Sequence, residues 1–260
     1  MVAEPSFAEW YVAGYGGVTT MGSIGNASMD NLGERLALQQ FPSAADPSSG
    51  DTVTQSFDTS DISLKSSPIF GGKVGYFFTE NQFPWLGVEI EAFTTKTNIK
   101  SQTLSTVQNV TFIPGPVTIT NCNIVTAPQF CPQSVRTNSQ VSLSETSLRV
   151  TAVAFSVLAR YPGERIQPYI GVGAGIFYFN ASSGSFRSFQ GTQPTGSIND
   201  SQWAPGLNAF GGVKYFVTKQ WMLFGEAKYN NVPIDNLDPA LGISGTYSIL
   251  NFIGGVGYHF

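Results

Sequence analysis

Charge is scarce in this chain: Asp, Glu, Lys and Arg make up 12% of its 260 residues, about half the share of roughly 25% found in ordinary soluble domains. The scarcity predicts that much of the surface faces something other than water. Long apolar runs are missing too, and no stretch approaches the roughly 20 consecutive apolar residues of a membrane helix. If the chain enters a bilayer, it does so as a closed barrel, the other architecture that satisfies its own backbone there. The 13 Lys and Arg are scattered and the net charge is −4, which excludes the basic footprint of nucleic-acid binding. Histidine occurs once, at position 259, and cysteine twice, at Cys122 and Cys131. A lone His at a strand end is poorly placed as the base of a hydrolase or acyltransferase. Two cysteines with no His nearby cannot complete a tetrahedral metal shell. The expectation is a non-enzyme without metal or cofactor. The opening MVAEPSFAEW has neither a basic n-region nor an apolar h-region, and is read as the start of a mature form with Met1 added.

What is abundant points to strands and turns: 28 Gly, 20 Phe and 10 Tyr. Eight segments of strand character can be read at about 10–18, 69–78, 85–95, 144–161, 168–179, 203–217, 221–229 and 246–260. Long polar stretches alternate between them with short turns such as TENQFP, PGERI and TKQ. Each segment can supply the roughly 9 to 11 residues of a tilted membrane crossing. The alternation of loop lengths suits a single-domain, all-β, antiparallel up-and-down transmembrane barrel with long extracellular loops and short periplasmic turns. VTFIPGPVTI, around Val110 to Ile119, reads as extra strand or hairpin beyond the membrane.

Parity along the strands predicts the interior. Phe70, Val74 and Tyr76 oppose Gly71, Lys73 and Gly75; Val88 and Ile90 oppose Glu89 and Glu91; Val213 and Tyr215 oppose Lys214; Leu223 and Tyr229 oppose Glu226 and Lys228. Three Lys and three Glu would meet in a lumen only wide enough for side chains to fill, and should pair there to avoid the cost of isolated buried ions. His259 is expected to fill the lumen mouth or to meet Glu226 or another lumen carboxylate. The competing reading is a soluble, lipocalin-like barrel with its apolar face inward. Aromatics near strand ends, Trp10, Trp85, Tyr161, Tyr169, Trp221 and Phe260, in the positions of interfacial girdles, weigh against it. In the fourth segment Arg149 and Arg160 have opposite parity, so either a bulge intervenes or Arg149 sits above the bilayer. GVGAG at Gly171 to Gly175 lies inside a strand with no helix after it, which excludes a phosphate loop. Its glycines are expected to make room for charged lumen side chains. Loop acids including Asp51 and Asp238 are read as solvated.

Through WYVAGYGG, RYPGERIQPYIGVGAG and the closing NFIGGVGYHF, the chain resembles the OmpA-like and opacity-protein family of eight-stranded outer-membrane barrels. The resemblance covers the strands and implies residence in the bacterial outer membrane with its lipid as partner. The alternating aromatic end of the last strand, with Phe252, Gly255, Tyr258 and Phe260, also resembles the signal read by the outer-membrane assembly machinery.

Cys122 and Cys131 both fall in the second long loop, where an oxidising exterior favours a disulfide. Two functional classes follow. One is a structural and surface-interaction barrel presenting its loops for adhesion, self-association or a surface partner, with Lys73, Glu89, Glu91, Lys214, Glu226 and Lys228 as a closed polar core. The other is a small porin-like channel in which the same residues line a path for ions or small solutes.

Overall fold

A computed structural model of the chain describes residues 9–79, 83–183, 198–238 and 241–260. The opening segment, the tip of the TENQFP turn and most of the third long loop lie outside them. In chain order the strands are β1 (Glu9–Met29), β2 (Thr52–Thr59), β3 (Ile62–Ser63), β4 (Ser67–Phe78), β5 (Phe83–Lys96), β6 (Gln102–Ile113), β7 (Gln133–Leu143), β8 (Ser147–Arg160), β9 (Ile166–Ser183), β10 (Ile198–Phe216), β11 (Trp221–Leu237) and β12 (Ile243–His259). Helix α1 (Asp30–Gln40) follows β1, and the single turn α2 (Pro116–Ile119) follows β6.

Among the described residues, eight strands close into an antiparallel barrel in the order β1, β4, β5, β8, β9, β10, β11, β12, with β12 returning to pair β1. Burial follows the strand period of two. Along β8, Leu148, Val150, Ala152 and Ala154 are buried while Val153, Phe155 and Val157 are exposed. The same alternation turns Phe70, Val74, Ile90, Val213, Leu223 and Val256 outward and places Lys73, Glu89, Glu91, Lys214, Glu226 and Lys228 inside. The apolar face therefore points out, the opposite of a lipocalin. Outward Trp203 and Tyr215 stand twelve residues apart on β10. At roughly 3.4 Å per residue and the usual barrel tilt, this spans the hydrocarbon core. Trp10 packs on Tyr76, and Trp221 and Phe260 both pack on Tyr258, each at about 5 Å between ring centroids.

Several barrel strands run well past the limits expected from sequence. The first, expected to end near Val18, continues to Met29. Register shifts between Thr20 and Ser23 and between Gly25 and Ser28, with left-handed backbone at Met21 and Asn26, absorb the broken alternation and keep it paired with β12. β11 likewise reaches Leu237, and β10 and β12 begin at Ile198 and Ile243. Arg149 and Arg160 need no bulge between them. The β5–β8 register is continuous from Leu86↔Ala159 to Lys96↔Arg149, so Arg160 points inward and Arg149 outward at the extracellular end.

The first two loops are structured rather than open. β2, β6 and β7 form a sheet whose one ladder pair with a barrel strand is Ser28↔Asp58, and whose base is also held by the bridges Leu64↔Ile99 and Ile99↔Thr146 and by Gln102, which bonds both the N–H and the carbonyl of Ser63. α1 covers one face of this sheet, where Ala37 and Phe41 pack with Val110 and Phe112. The Val110 to Ile119 stretch divides: the strand ends at Ile113, and Pro116 starts the turn of α2, since proline has no N–H for a ladder and suits a first helical position. Asp51, expected to be solvated, is 6% exposed, and its Oδ1 accepts from the Gly115 N–H at 2.7 Å. The Ser43 hydroxyl, together with that N–H, holds its carboxyl below the usual carboxylate range against the opposing effect of burial.

Large rings fit the lumen because facing positions are glycine. A Cβ on Gly75 would lie 2.4 Å from the Tyr11 ring, and one on Gly171 would lie 2.3 Å from Phe210. The lumen-facing glycines thus make room first for aromatic rings, and the charged chains are held in turn by those rings, a correction to the direct role expected for GVGAG. Gly75→Val should overpack the lumen and cost about 1–3 kcal/mol, read as a lower midpoint for heat-induced loss of the compact barrel band on gel electrophoresis.

Candidate functional site: the lumen and the hairpin tip

The interior divides into two halves. In the periplasmic half, β4 and β5 point Lys73, Glu89 and Glu91 inward, and β11 adds Glu226 and Lys228. They form one alternating chain. Glu89 lies 3.5 Å from Lys73, Lys73 lies 2.7 Å from Glu226, and Glu226 lies 3.1 Å from Lys228, which in turn pairs with Glu91. Both ends are capped by tyrosines of β1: the Tyr11 hydroxyl donates to Glu89 and the Tyr15 hydroxyl to Glu91. From β9, Tyr169 donates to Glu226 at 2.7 Å. Aromatic faces complete the cage, with Lys73 Nζ 4.6 Å from the Phe224 ring centre and Lys228 Nζ 5.0 Å from that of Phe210.

Lys214 departs from the pairing expected of it. Its ammonium is fully buried, has no hydrogen-bond acceptor among the described residues, and lies 3.6 Å from the centre of the Tyr11 ring and 4.7 Å from that of Phe77. A desolvated cation over aromatic faces gains about 2 kcal/mol, so rings take the place of a carboxylate. His259 lies in the lumen mouth, the first of the two places expected for it. It stacks on Tyr11 at 5.2 Å and meets the edge of Phe216 at 4.9 Å. It cannot reach Glu226, because residue 226 pairs with Ile253, six residues up the strand and about 20 Å away. Arg160 adds a further lumen cation, donating to the Pro84 carbonyl at 2.9 Å and to Gln167 at 3.0 Å while its guanidinium stacks on Phe77. Below it an open vestibule of about 800 Å³ is lined by Arg160, Gln167, His259 and the periplasmic turns.

The extracellular half is largely apolar within, apart from a hydroxyl cluster in which Ser67 joins the buried Thr19, Thr95 and Thr97. Leu148, Val150, Phe177, Phe179, Val232, Tyr247 and Ile249 are all at most 2% exposed, and Phe179 meets Tyr247 edge to face at 5.2 Å. Sequence reasoning that expected one polar face along each strand missed this plug. Its signal is the unbroken run IFYF at 176–179, where both faces of a strand are apolar.

Of the last-strand residues, Phe252 and Phe260 are exposed on the outer wall. Gly255 faces the lumen, where a Cβ would strike the Phe224 ring, so the set does not share one face.

Cys122 and Cys131 form a disulfide in the tip of the β6–β7 hairpin. Within that ring Asn123 and Ala127 bridge a tight turn, and Asn123 Oδ1 accepts from the N–H groups of Val125 and Thr126 at 2.9 and 3.0 Å.

A profile of the family described as outer membrane protein beta-barrel domain matches residues 1–260. Solved structures similar to the chain include Neisserial surface protein A, with 12% identity, TM-score 0.47, and coverage of 98% of this chain and 100% of that one. The outer membrane protein OprG from Pseudomonas aeruginosa has 15% identity, TM-score 0.44, and coverage of 97% and 95%. The attachment invasion locus protein Ail of Yersinia pestis, solved with the heparin analogue sucrose octasulfate, has 12% identity, TM-score 0.38, and coverage of 97% and 98%. No curated protein sequence matches the chain.

The two kinds of lumen cation should respond differently to mutation. Glu226→Gln leaves Lys73 and Lys228 short of a counter-charge and should cost about 3–5 kcal/mol, whereas Lys214→Met should be neutral or stabilising, because removing a buried cation that has no acceptor offsets the lost contact with the aromatic faces. Urea unfolding of the detergent-refolded barrel, followed by tryptophan fluorescence, separates the two outcomes.

Proposed function

Since the chain belongs to the outer membrane protein beta-barrel domain family and resides in the bacterial outer membrane, we propose that it is a closed structural barrel whose work is done at the cell surface, presenting its extracellular loops for adhesion, self-association or partner binding. The observation that carries this reading is the filled lumen. Paired charges and aromatic rings occupy the periplasmic half, and a hydrophobic plug occupies the extracellular half. The loops also have the construction of a display surface, with a three-stranded sheet, a covering helix and a disulfide. Surface loops on a rigid scaffold are where binding residues concentrate.

Catalysis has little support. The sole His stacks on Tyr11 and meets the edge of Phe216 in the periplasmic mouth, at the end of the barrel opposite the long loops. The porin-like reading rests on the periplasmic vestibule, whose inner end is occupied by Arg160 and His259.

Purified, refolded protein in a planar bilayer is expected to give no stable current steps. Reproducible steps that change when Glu89 and Glu91 are both replaced by Gln would overturn the closed-barrel reading and make those carboxylates selectivity residues of a pore.

A further inference from the structure

Turns ordinarily carry Gly, Pro, Asn, Asp or Ser, yet the turn inside the disulfide ring places Ile124 and Val125 at its corners, 83% and 87% exposed. Val117, in α2, is also exposed, at 69%. Between Lys100 and Arg136 the chain contains no charged residue, so β6 and the tip are electrically neutral, and Arg136 is the one charge of the hairpin, three residues into β7. The hairpin is long and braced. Eleven consecutive pairs, from Gln102↔Leu143 to Phe112↔Gln133, extend about 35 Å at roughly 3.4 Å per residue, and the Asp51–Gly115 hydrogen bond ties the base of the tip to the first loop.

The backbone at the apex makes its own hydrogen bonds. Asn123 Oδ1 takes the N–H groups of Val125 and Thr126, and the Asn123 carbonyl takes that of Ala127 at 2.8 Å. An apolar medium demands this, since an unsatisfied peptide group costs several kcal/mol there. A convex, uncharged apex with aliphatic corners, and with the N–H groups of Val125, Thr126 and Ala127 taken up by Asn123, requires no matching groove or counter-charge. We infer that this apex is a lipid-docking tip that inserts Ile124 and Val125 into an apposed bilayer of zwitterionic phospholipid. The inference rests on the surface-presentation reading and names the partner of its most extended loop.

The full chain, folded in nanodiscs, is mixed with phosphatidylcholine vesicles and floated on a density gradient. Wild type is expected to float with the vesicles at low and high salt alike. The I124D/V125D variant should bind about a hundredfold more weakly, the scale of withdrawing two aliphatic side chains from an apolar medium. The V125W variant, which keeps an apolar corner, should still bind and shift its added indole emission to shorter wavelength only when vesicles are present. Equal binding by I124D/V125D and wild type overturns the inference, as does a V125W emission that vesicles leave unchanged. Binding that requires anionic lipid or vanishes in salt also overturns it, because it would assign docking to charged residues elsewhere. Failure of wild type to bind overturns it in favour of a protein partner for the tip. Bilayer current is independent of all these results, so a silent barrel that ignores vesicles separates failure of the lipid tip from failure of the presentation reading.

Discussion

Five ionised side chains shut away from water have to neutralise one another, and the sequence Glu89, Lys73, Glu226, Lys228, Glu91 is how this barrel does it. Each ion would cost several kcal/mol to bury alone. The arrangement therefore requires the strands that carry them to stand at fixed registers, with β4 beside β5 and β11 across the lumen. Tyrosines from β1 and β9 enter the same network, so strands on several sides of the wall depend on it. The glycines opposite those tyrosines, the aromatic faces over the lysines and the outward aliphatic wall all follow from placing this group at the centre.

The division of the lumen into a polar and an apolar half assigns different physics to the two ends. The polar half derives its specificity from directional contacts that fail if one partner is lost. The apolar half is held by burial, and it continues past the membrane into Ile24, Ile62, Leu64, Ile99, Leu143, Leu241 and Ile243. The loops thus rest on an outward extension of the barrel's own core, and the surface platform grows from the barrel without a hinge of open coil.

The barrel was legible in the sequence because period-two patterning and the rhythm of long and short connections are both local properties. The inward parity of Lys73, Glu89 and Lys228 could be read for the same reason. Three features could not be read that way. The nearest aromatic partner of Lys214, Tyr11, comes from β1, just over two hundred residues earlier, and pairwise charge logic pointed to carboxylates instead. The second sheet was hidden because β7, with Arg136, Thr137 and Asn138 exposed in succession, has too few apolar positions to show a period. Its burial is set by α1 and β6, contacts that no single segment encodes. The bulges at Met21 and Asn26 also erased the alternation by which the rest of β1 would have been seen.

The seam between barrel and platform has a mechanical consequence. β2 holds β6 through eight pairs and β6 holds β7 through eleven, but β1 meets β2 at Ser28↔Asp58 alone. A pulling load applied at the hairpin would pass from these long ladders to the closed wall not through that pair alone but also through the bridges at Ile99, the Gln102–Ser63 hydrogen bonds and the apolar contacts of Phe57, Leu104 and Leu143. Shear on the platform is thereby spread over many contacts of different kinds, as on a bracket fixed at several points, before it reaches the wall.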